Sequence, residues 1–318
     1  MEMNKRVYGI LAIVSRMSNW NADFTGYPKT TSNGDVFGSD KAFKYPLKKM
    51  WDEQGEKVLY IKSYKLSKNK KGETELIPRT LKERYEYIFN VEDLKKDKDS
   101  KMVLTNLFKA IDVKNFGATF AEEGNNISIT GAVQIGQGFN KYDETYAEEQ
   151  QILSPFRDPT KKQGKDDKEE AKASTLGTKI VSNEAHYFYP FTINPAAYDE
   201  FKALQVTDGY TEGDYKKFKQ TVLVAATSFS TNAKIGCENE FALFIETESD
   251  LYLPDLSQYV DFQKKGDKNI ITLKCHELIN ELKEKIHNVE IHYNPYTTVV
   301  ETEIEGAKRF NIFTQKEV

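Results

Sequence analysis

Residues 6–15, RVYGILAIVS, are apolar on both alternating faces, with Val7, Leu11 and Ile13 on one and Tyr8, Ile10 and Val14 on the other. A strand that covers a single face of a sheet alternates apolar with polar residues. This run therefore predicts a strand buried on both sides, central in its sheet, and a chain that must supply cover for each face. With 318 residues and 39% apolar content there is enough material for that core. The length suits one large domain or two modest ones.

The rest of the chain reads as a mixture. KVLYIKSYKL (57–66) alternates like a strand, and SKNKKGE after it is a polar turn. TLKERYEYIFN and SKMVLTNLFKAID read as helices, and NNISITGAVQIG (125–136) as strand. Tyr215, Phe218, Val222 and Ala225 give 212–229 a helical stripe, and Leu273, Leu278, Ile279 and Leu282 predict a second amphipathic helix over 271–286. AKIGCENEFALFIETE, VEIHYN and AKRFNIF are strand regions. The order predicts an α+β fold with a β-α-β-β-α-β core of the RRM or ferredoxin-like kind. Residues 157–173, RDPTKKQGKDDKEEAKA, hold almost no large apolar side chain, which predicts a mobile tip between two ordered arms, as in a long hairpin.

Net charge is −4, so only a local argument can favour a polyanionic ligand. One exists. Lys29, Lys41, Lys44, Lys48 and Lys49 stand against Asp35 and Asp40, a local +3, while 238–262 carries seven acids and no lysine or arginine. Ser39 or Asp40 caps a helix starting near Lys41, with Pro46 either kinking it or opening a second piece. Its free N–H groups would meet phosphates, with Lys41, Lys44 and Lys48 along one side; the bland alternative is a solvated helix face. The preceding loop mixes Trp20, Phe24, Tyr27 and Phe37 with amides and hydroxyls, which suits either bases and riboses or an Ω-loop packed on its own aromatics. Gly131, Gly136 and Gly138 lack a nucleotide-loop pattern and instead predict close approach of another backbone, nucleic acid or a neighbouring subunit.

Catalytic patterns are sparse. His186, His276, His287 and His292 show no metal-ligand spacing, and Cys237 and Cys275 make neither a disulfide framework nor a metal quartet. Asp23 and Asp35 sit in the loop where turn formers are common. We therefore expect no enzymatic activity, no cofactor and no metal. Two cysteines without a disulfide framework point to a reducing compartment, and with the lack of an apolar stretch near ~20 residues they predict a cytoplasmic protein without membrane contact.

NWNADFTGYPKTTSNGDVFGSDKAFKYPLKKMW (19–51), ITGAVQIGQGFN, STLGTKIVSNEAHYFYPF and AKIGCENEFALFIE, in that order behind a buried N-terminal strand, resemble the backbone subunit of the CRISPR Cascade complex. That family is in the RAMP superfamily; the likeness is to the subtype I-B, DevR-like form. The resemblance implies one RAMP-type domain over 1–318, with an RRM-like palm, a helical insert at 80–122 and a thumb hairpin at 140–182. It implies a non-catalytic subunit that binds CRISPR RNA, stacks head to tail with further copies and other Cascade subunits, and exposes the guide for pairing with target DNA. The RNA-binding positions it implies are Asn19, Asn21, Lys29, Ser39, Lys41, Lys44 and Lys48, then Gln134, Gln137 and Asn140, then Thr175, Leu176 and Lys179 in the thumb, with Leu176 as a wedge between bases. The usual NGDP of this family is NGDV here, with Pro28 upstream. A metal-dependent ribonuclease of the same fold centred on Asp23 or Asp35, and an RNA-independent assembling protein, are the rival readings.

Overall fold

The computed structural model describes residues 1–96, 99–153 and 175–318, and the side chains of all of these except 153, 175 and 176. The expected mobile tip and its flanks, 154–174, lie outside the described residues. In chain order the elements are β1 (Arg6–Ser18), β2 (Phe37–Gly38), α1 (Asp40–Glu53), β3 (Tyr64–Lys68), β4 (Thr74–Pro78), α2 (Leu81–Phe89), α3 (Ser100–Lys109), α4 (Ile111–Phe116), β5 (Gly117–Phe120), β6 (Ile127–Thr130), β7 (Val133–Ile135), β8 (Gly138–Asn140) and β9 (Ala147–Leu153). There follow β10 (Thr175–Ile193), α5 (Asp199–Ala203), α6 (Glu212–Val222), α7 (Ala225–Ser228), β11 (Cys237–Thr247), β12 (Val260–Lys265), β13 (Lys268–Leu273), α8 (His276–Glu281), β14 (Ile286–Tyr293), β15 (Thr298–Glu301) and β16 (Lys308–Asn311).

The main sheet runs β16-β14-β11-β1-β10-β8-β2, with β7 and β9 also on β10. β1 is central, antiparallel to β10 on one side and β11 on the other, as its two apolar faces require. Val7, Leu11 and Ile13 pack into a core shared with Phe43, Leu47 and Trp51 of α1, Leu107 of α3 and Phe218 of α6. Tyr8, Ile10 and Ala12 face a second core with Phe262, Ile271, Leu273 and Val300, which belong to a separate sheet ordered β12-β13-β15. Helices thus cover one face and a small sheet the other. The fold is α+β.

β10 carries the hairpin. Residues 182–193 of this strand pair with β1, whereas among the described residues 175–181 pair with β9 alone. The arm therefore leaves the sheet as a two-stranded ribbon. β3 and β4 form another isolated ribbon, and α2, α3 and α4 follow it on the helical side.

Several sequence expectations are corrected. Residues 57–63 are not strand: β3 starts only at Tyr64. The backbone N–H groups of Leu59 and Tyr60 donate instead to the two carboxylate oxygens of Asp112, each at 2.8 Å, so their hydrogen bonds go to a side chain rather than a ladder. The helix expected over 271–286 is mostly absent. Ile271 and Leu273 lie in β13 between β12 and β15, only 276–281 is α-helical, and Leu278 and Leu282 are half-buried. The 125–136 strand is broken into β6 and β7, and the 212–229 helix is interrupted after Val222. α1 is one continuous helix capped by Ser39, with Pro46 inside it and buried.

Candidate nucleic-acid interface

The loop after β1 is anchored from within. Trp20 is buried, and its indole N–H donates to the Tyr189 hydroxyl at 2.5 Å while Phe43 of α1 meets the ring edge-on. The rest is two short antiparallel bridges, Ala22 with Pro28 and Thr30 with Val36. Asp23 closes the first turn by accepting from the Thr25 N–H and hydroxyl and the Tyr27 N–H. The Thr25 hydroxyl leads in holding its carboxyl below the ordinary range. Asp35 accepts from the Thr31 hydroxyl, whose oxygen takes the Asp35 N–H in return. Both aspartates are turn formers here. Phe37 packs on Phe139, whereas Phe24 and Tyr27 remain exposed, so the aromatics divide between an internal and an outward role.

At the β2–β8 edge several expected residues converge. Asn21 accepts the Ser39 N–H at 2.7 Å on its side chain and the Lys29 N–H on its backbone carbonyl. Ser39 caps α1 by accepting from Ala42 N–H. The Lys29 ammonium lies 5.5 Å from the Phe37 ring centroid, and Gln137 hydrogen-bonds Asp40. Lys41, in the first turn of α1, is exposed. Asn21, Lys29, Ser39, Lys41 and Gln137 thus surround one strand pair, Gly38 opposite Gly138.

The close approach at the glycines comes from this chain itself, and not only from backbone. A Cβ on Gly38 would overlap the Tyr189 hydroxyl, and one on Gly138 the Tyr189 ring. They make room for a buried ring of this chain. Gly131 and Gly136 likewise admit the Phe116–Gly117 backbone and the Pro190 ring. Nor is the lysine row of α1 a uniform solvent face. Lys44 donates to Asp40 at 2.9 Å, and Lys48 lies 4.0 Å from buried Asp112 with the Tyr60 and Phe116 rings beneath its ammonium. Burial pushes the Lys48 ammonium down and the Asp112 carboxyl up. Asp40 also occupies the first turn where a phosphate was expected. Of the three lysines in the row, Lys41 alone is exposed.

The remaining positions serve the hairpin or lie apart. Buried Asn19 donates to the carbonyls of Gly26 and Ile180, stapling loop to arm, and its carboxamide oxygen has no partner among the described residues. Asn140 is saturated internally: it donates to Tyr142 O and the Thr145 hydroxyl and accepts from the Tyr142 and His186 N–H groups. Lys179 reaches Asn232 at 3.5 Å. Gln134 is exposed on β7 and folds back to Gly131 O at 2.7 Å, beside a cleft of about 310 Å³ lined by Tyr8, Pro190, Leu253 and Leu256. Thr175 and Leu176 are in β10, but their side chains, and with them the expected wedge, lie outside the described ones.

Two contributors have no counterpart among the residues expected from the sequence. Lys234 donates to the carbonyls of both Asn19 and Trp20, with burial lowering its ammonium's pKa. Tyr45 of α1 is exposed and meets Phe229 edge-on. Neither has a local signal, because each contact joins segments far apart in sequence.

The profile of the family described as "CRISPR-associated protein Cas7" matches residues 5–289. No curated protein matches the chain. Among solved structures, a chain of a "CRISPR RNA-guided surveillance complex, pre-nicking" is similar at 11% identity and a TM-score of 0.56, with 96% of each chain covered. A chain of a "CRISPR RNA-guided surveillance complex" is 14% identical with a TM-score of 0.43, covering 95% of this chain and 94% of that one. The first likeness shows a shared fold over nearly the whole length.

Proposed function

Because this chain belongs to the Cas7 family of CRISPR-associated proteins, we propose that it is a non-catalytic backbone subunit of a type I Cascade complex, of the I-B, DevR-like kind. In this reading it coats CRISPR RNA, stacks head to tail with further copies beside other Cascade subunits, and leaves the guide free to pair with target DNA. The β9–β10 arm serves as the thumb and α2–α4 as the helical insert.

The observation that carries this reading is the convergence of Asn21, Lys29, Ser39, Lys41 and Gln137 at one sheet edge, with the arm stapled alongside through Asn19. Lys29 and Lys41 supply positive charge without the planar fork that reads base edges. Exposed Phe24 and Tyr27 offer faces on which any base can stack. Such a surface follows a backbone and ignores sequence, which suits a subunit whose specificity resides in base pairing. The turn-forming bonds of Asp23 and Asp35 favour a scaffold over the ribonuclease reading.

The test is RNA affinity of purified protein against several guides of unrelated sequence. Lys29→Glu with Lys41→Glu should weaken all of them alike, by at least about tenfold, and lower the magnitude of the salt slope by ~1.4, two single-strand phosphate contacts. Unchanged affinity and slope refute the interface. Magnesium-dependent cleavage of labelled RNA that vanishes in Asp23→Ala or Asp35→Ala refutes the scaffold role.

A further inference from the structure

A buried ion network lies beneath the corner where the site edge turns into the arm. His186 of β10 is fully buried, and both of its ring nitrogens face carboxylates: Nδ1 is 2.6 Å from Glu240 Oε2, and Nε2 is 3.2 Å from Glu184 Oε1. An ionised carboxylate only accepts, so the ring fills both bonds by carrying both protons. Each carboxylate is held in turn. Asn269 of β13 donates to Glu240 at 2.7 Å, Arg16 of β1 donates to Glu184 at 3.1 Å, and Lys264 of β12 pairs with Glu184. Phe262 of β12 stacks on the imidazole with centroids 4.0 Å apart, and Tyr142 meets it edge-on. Glu240 reaches this place through a bulge. Ala12 of β1 pairs with Phe241 and Ile13 with Asn239, so Glu240 is passed over in the ladder. A bulge forfeits a ladder position and re-aims a side chain. Residues 183–186 also hold the corner itself. The His186 N–H donates to Asn140 Oδ1 at 2.8 Å, the His186 carbonyl accepts the Lys141 N–H, the Thr145 hydroxyl donates to the Glu184 carbonyl, and the Asn183 amide donates to the Glu144 carbonyl. The stretch that joins β8 of the edge to β9 of the arm is thus bound to the segment of β10 that carries the network.

We propose that His186 is a positioning residue for the arm. With Glu240 and Asn269 on one side and Glu184 on the other, it locks the root of β10 and the 140–146 corner to the small sheet, and so sets where the arm stands over a strand bound at the Gly38–Gly138 edge. This rests on the reading that the guide occupies that edge. A buried ion pair adds little over apolar side chains of equal size, and its best-attested use is to fix one arrangement among several. The direction of the bonds makes the assignment testable. An amide in place of the imidazole has donors at one end and a carbonyl at the other, so His186→Gln turns an acceptor oxygen towards one of the two carboxylates. With Glu240→Gln added, the donors line up again. The Asn269 amide gives to the carbonyl at 240, the amide at 240 gives to the carbonyl at 186, and the amide at 186 gives to Glu184.

The experiment places one spin label on the arm at Gln151→Cys and one on α8, which follows β13, at Glu277→Cys. Both positions are exposed, and the chain's own Cys237 and Cys275 are buried. In full-length RNA-free protein, His186→Gln should make the label-to-label distance distribution at least about twofold wider. His186→Gln with Glu240→Gln should return it to the original width. Affinity for guide RNA should fall by at least about fivefold in the single variant and recover in the double. Urea unfolding is followed in parallel. If the single variant loses stability but keeps the narrow distribution, His186 only supports the fold and the proposal is overturned. It is also overturned if the double variant stays as wide as the single, or if the distribution widens while RNA affinity keeps its wild-type value. Should His186→Gln not fold, Asn269→Ala decides. It cuts the small sheet from Glu240, leaves both ring bonds in place and should widen the same distribution; an unchanged width overturns the proposal. Wild type that binds no RNA refutes the guide-binding reading instead, and the distance widths then still decide whether His186 sets the arm.

Discussion

Replacing Asp112 should be among the most damaging single changes in the helical layer. Its carboxylate is buried, accepts the N–H groups of Leu59 and Tyr60 at 2.8 Å each, and is 4.0 Å from the half-buried Lys48 ammonium. Asp112→Ala removes the acceptor for two N–H groups and leaves Lys48 without its counter-charge. A buried donor left unpaired costs roughly 1–3 kcal/mol, and breaking a buried ion pair from one side roughly 3–5 kcal/mol. These belong to one network and do not add, so the expected loss is about 4 kcal/mol. Asp112→Asn keeps a carbonyl acceptor for one of the two N–H groups and should lose about half as much. Adding Lys48→Met to it removes the stranded ammonium and should recover part of the remainder. Urea unfolding followed by tryptophan fluorescence gives the ranking, since Trp51 is buried on the neighbouring helix. Limited proteolysis should show 57–63 opening first in Asp112→Ala, because those residues have lost their side-chain anchor. A loss under about 1 kcal/mol, or Asn and Ala behaving identically, refutes the view that Asp112 organises this segment.

Further outcomes can be measured on the same protein. Lys44→Ala should change RNA affinity far less than Lys41→Ala, because Lys44 is already paired with Asp40; equal effects would restore the uniform lysine face. Burial alone would raise the Glu290 carboxyl, but His292 and Lys219 hold it down to about 2. Its contribution is therefore full above the usual carboxylate range near 4.5 and is lost as pH falls towards 2, and Lys219→Met should raise the acid-unfolding midpoint; an unchanged midpoint refutes this. His186 is buried between Glu240 and Glu184; burial would lower its pKa, but the two carboxylates raise it. That stabilisation is complete below the unfolded histidine pKa of ~6.5 and fades as pH rises through the higher folded value, so His186→Gln should flatten the alkaline side of the stability profile. Gly138→Ala should destabilise and disturb the loop, because the added methyl overlaps the buried Tyr189 ring; native stability and RNA affinity would show that the ring has room to shift.

What the sequence made legible was whatever depends on neighbours in the chain. β1 was readable because apolarity on both faces of a strand demands cover on both sides, and the start of α1 because Ser39 caps from within its own turn. The strand expected at 57–63 failed because the competing acceptor, Asp112, is over fifty residues downstream. The helix expected at 271–286 followed leucine spacing, while Ile271 and Leu273 alternate just as well into the core beneath β12 and β15. The lysine row was legible as a pattern but not as a charge. Asp112 and the rings of Tyr60 and Phe116 remove Lys48 from solvent, and nothing near residue 48 announces them. The site edge itself was legible in composition, yet its glycines answer to Tyr189, a residue some fifty positions beyond Gly138.

The arm and the sheet share one backbone, and that has a mechanical consequence. β10 runs for 19 residues, a span of roughly 60 Å at ~3.3 Å per residue, and between Thr178 and Tyr189 it contains neither glycine nor proline. It is a cantilever clamped at Ser182, where pairing with β1 begins. A load on the free end is not absorbed by a hinge; it arrives as torque on the strand beside the centre of the sheet. The bonds from Asn19 to Ile180 and from Lys179 to Asn232 act as struts close to the clamp. The same construction limits how the arm can change length. Residues added in pairs on each strand extend the beam with its faces preserved, whereas a single added residue turns every side chain beyond it to the opposite face.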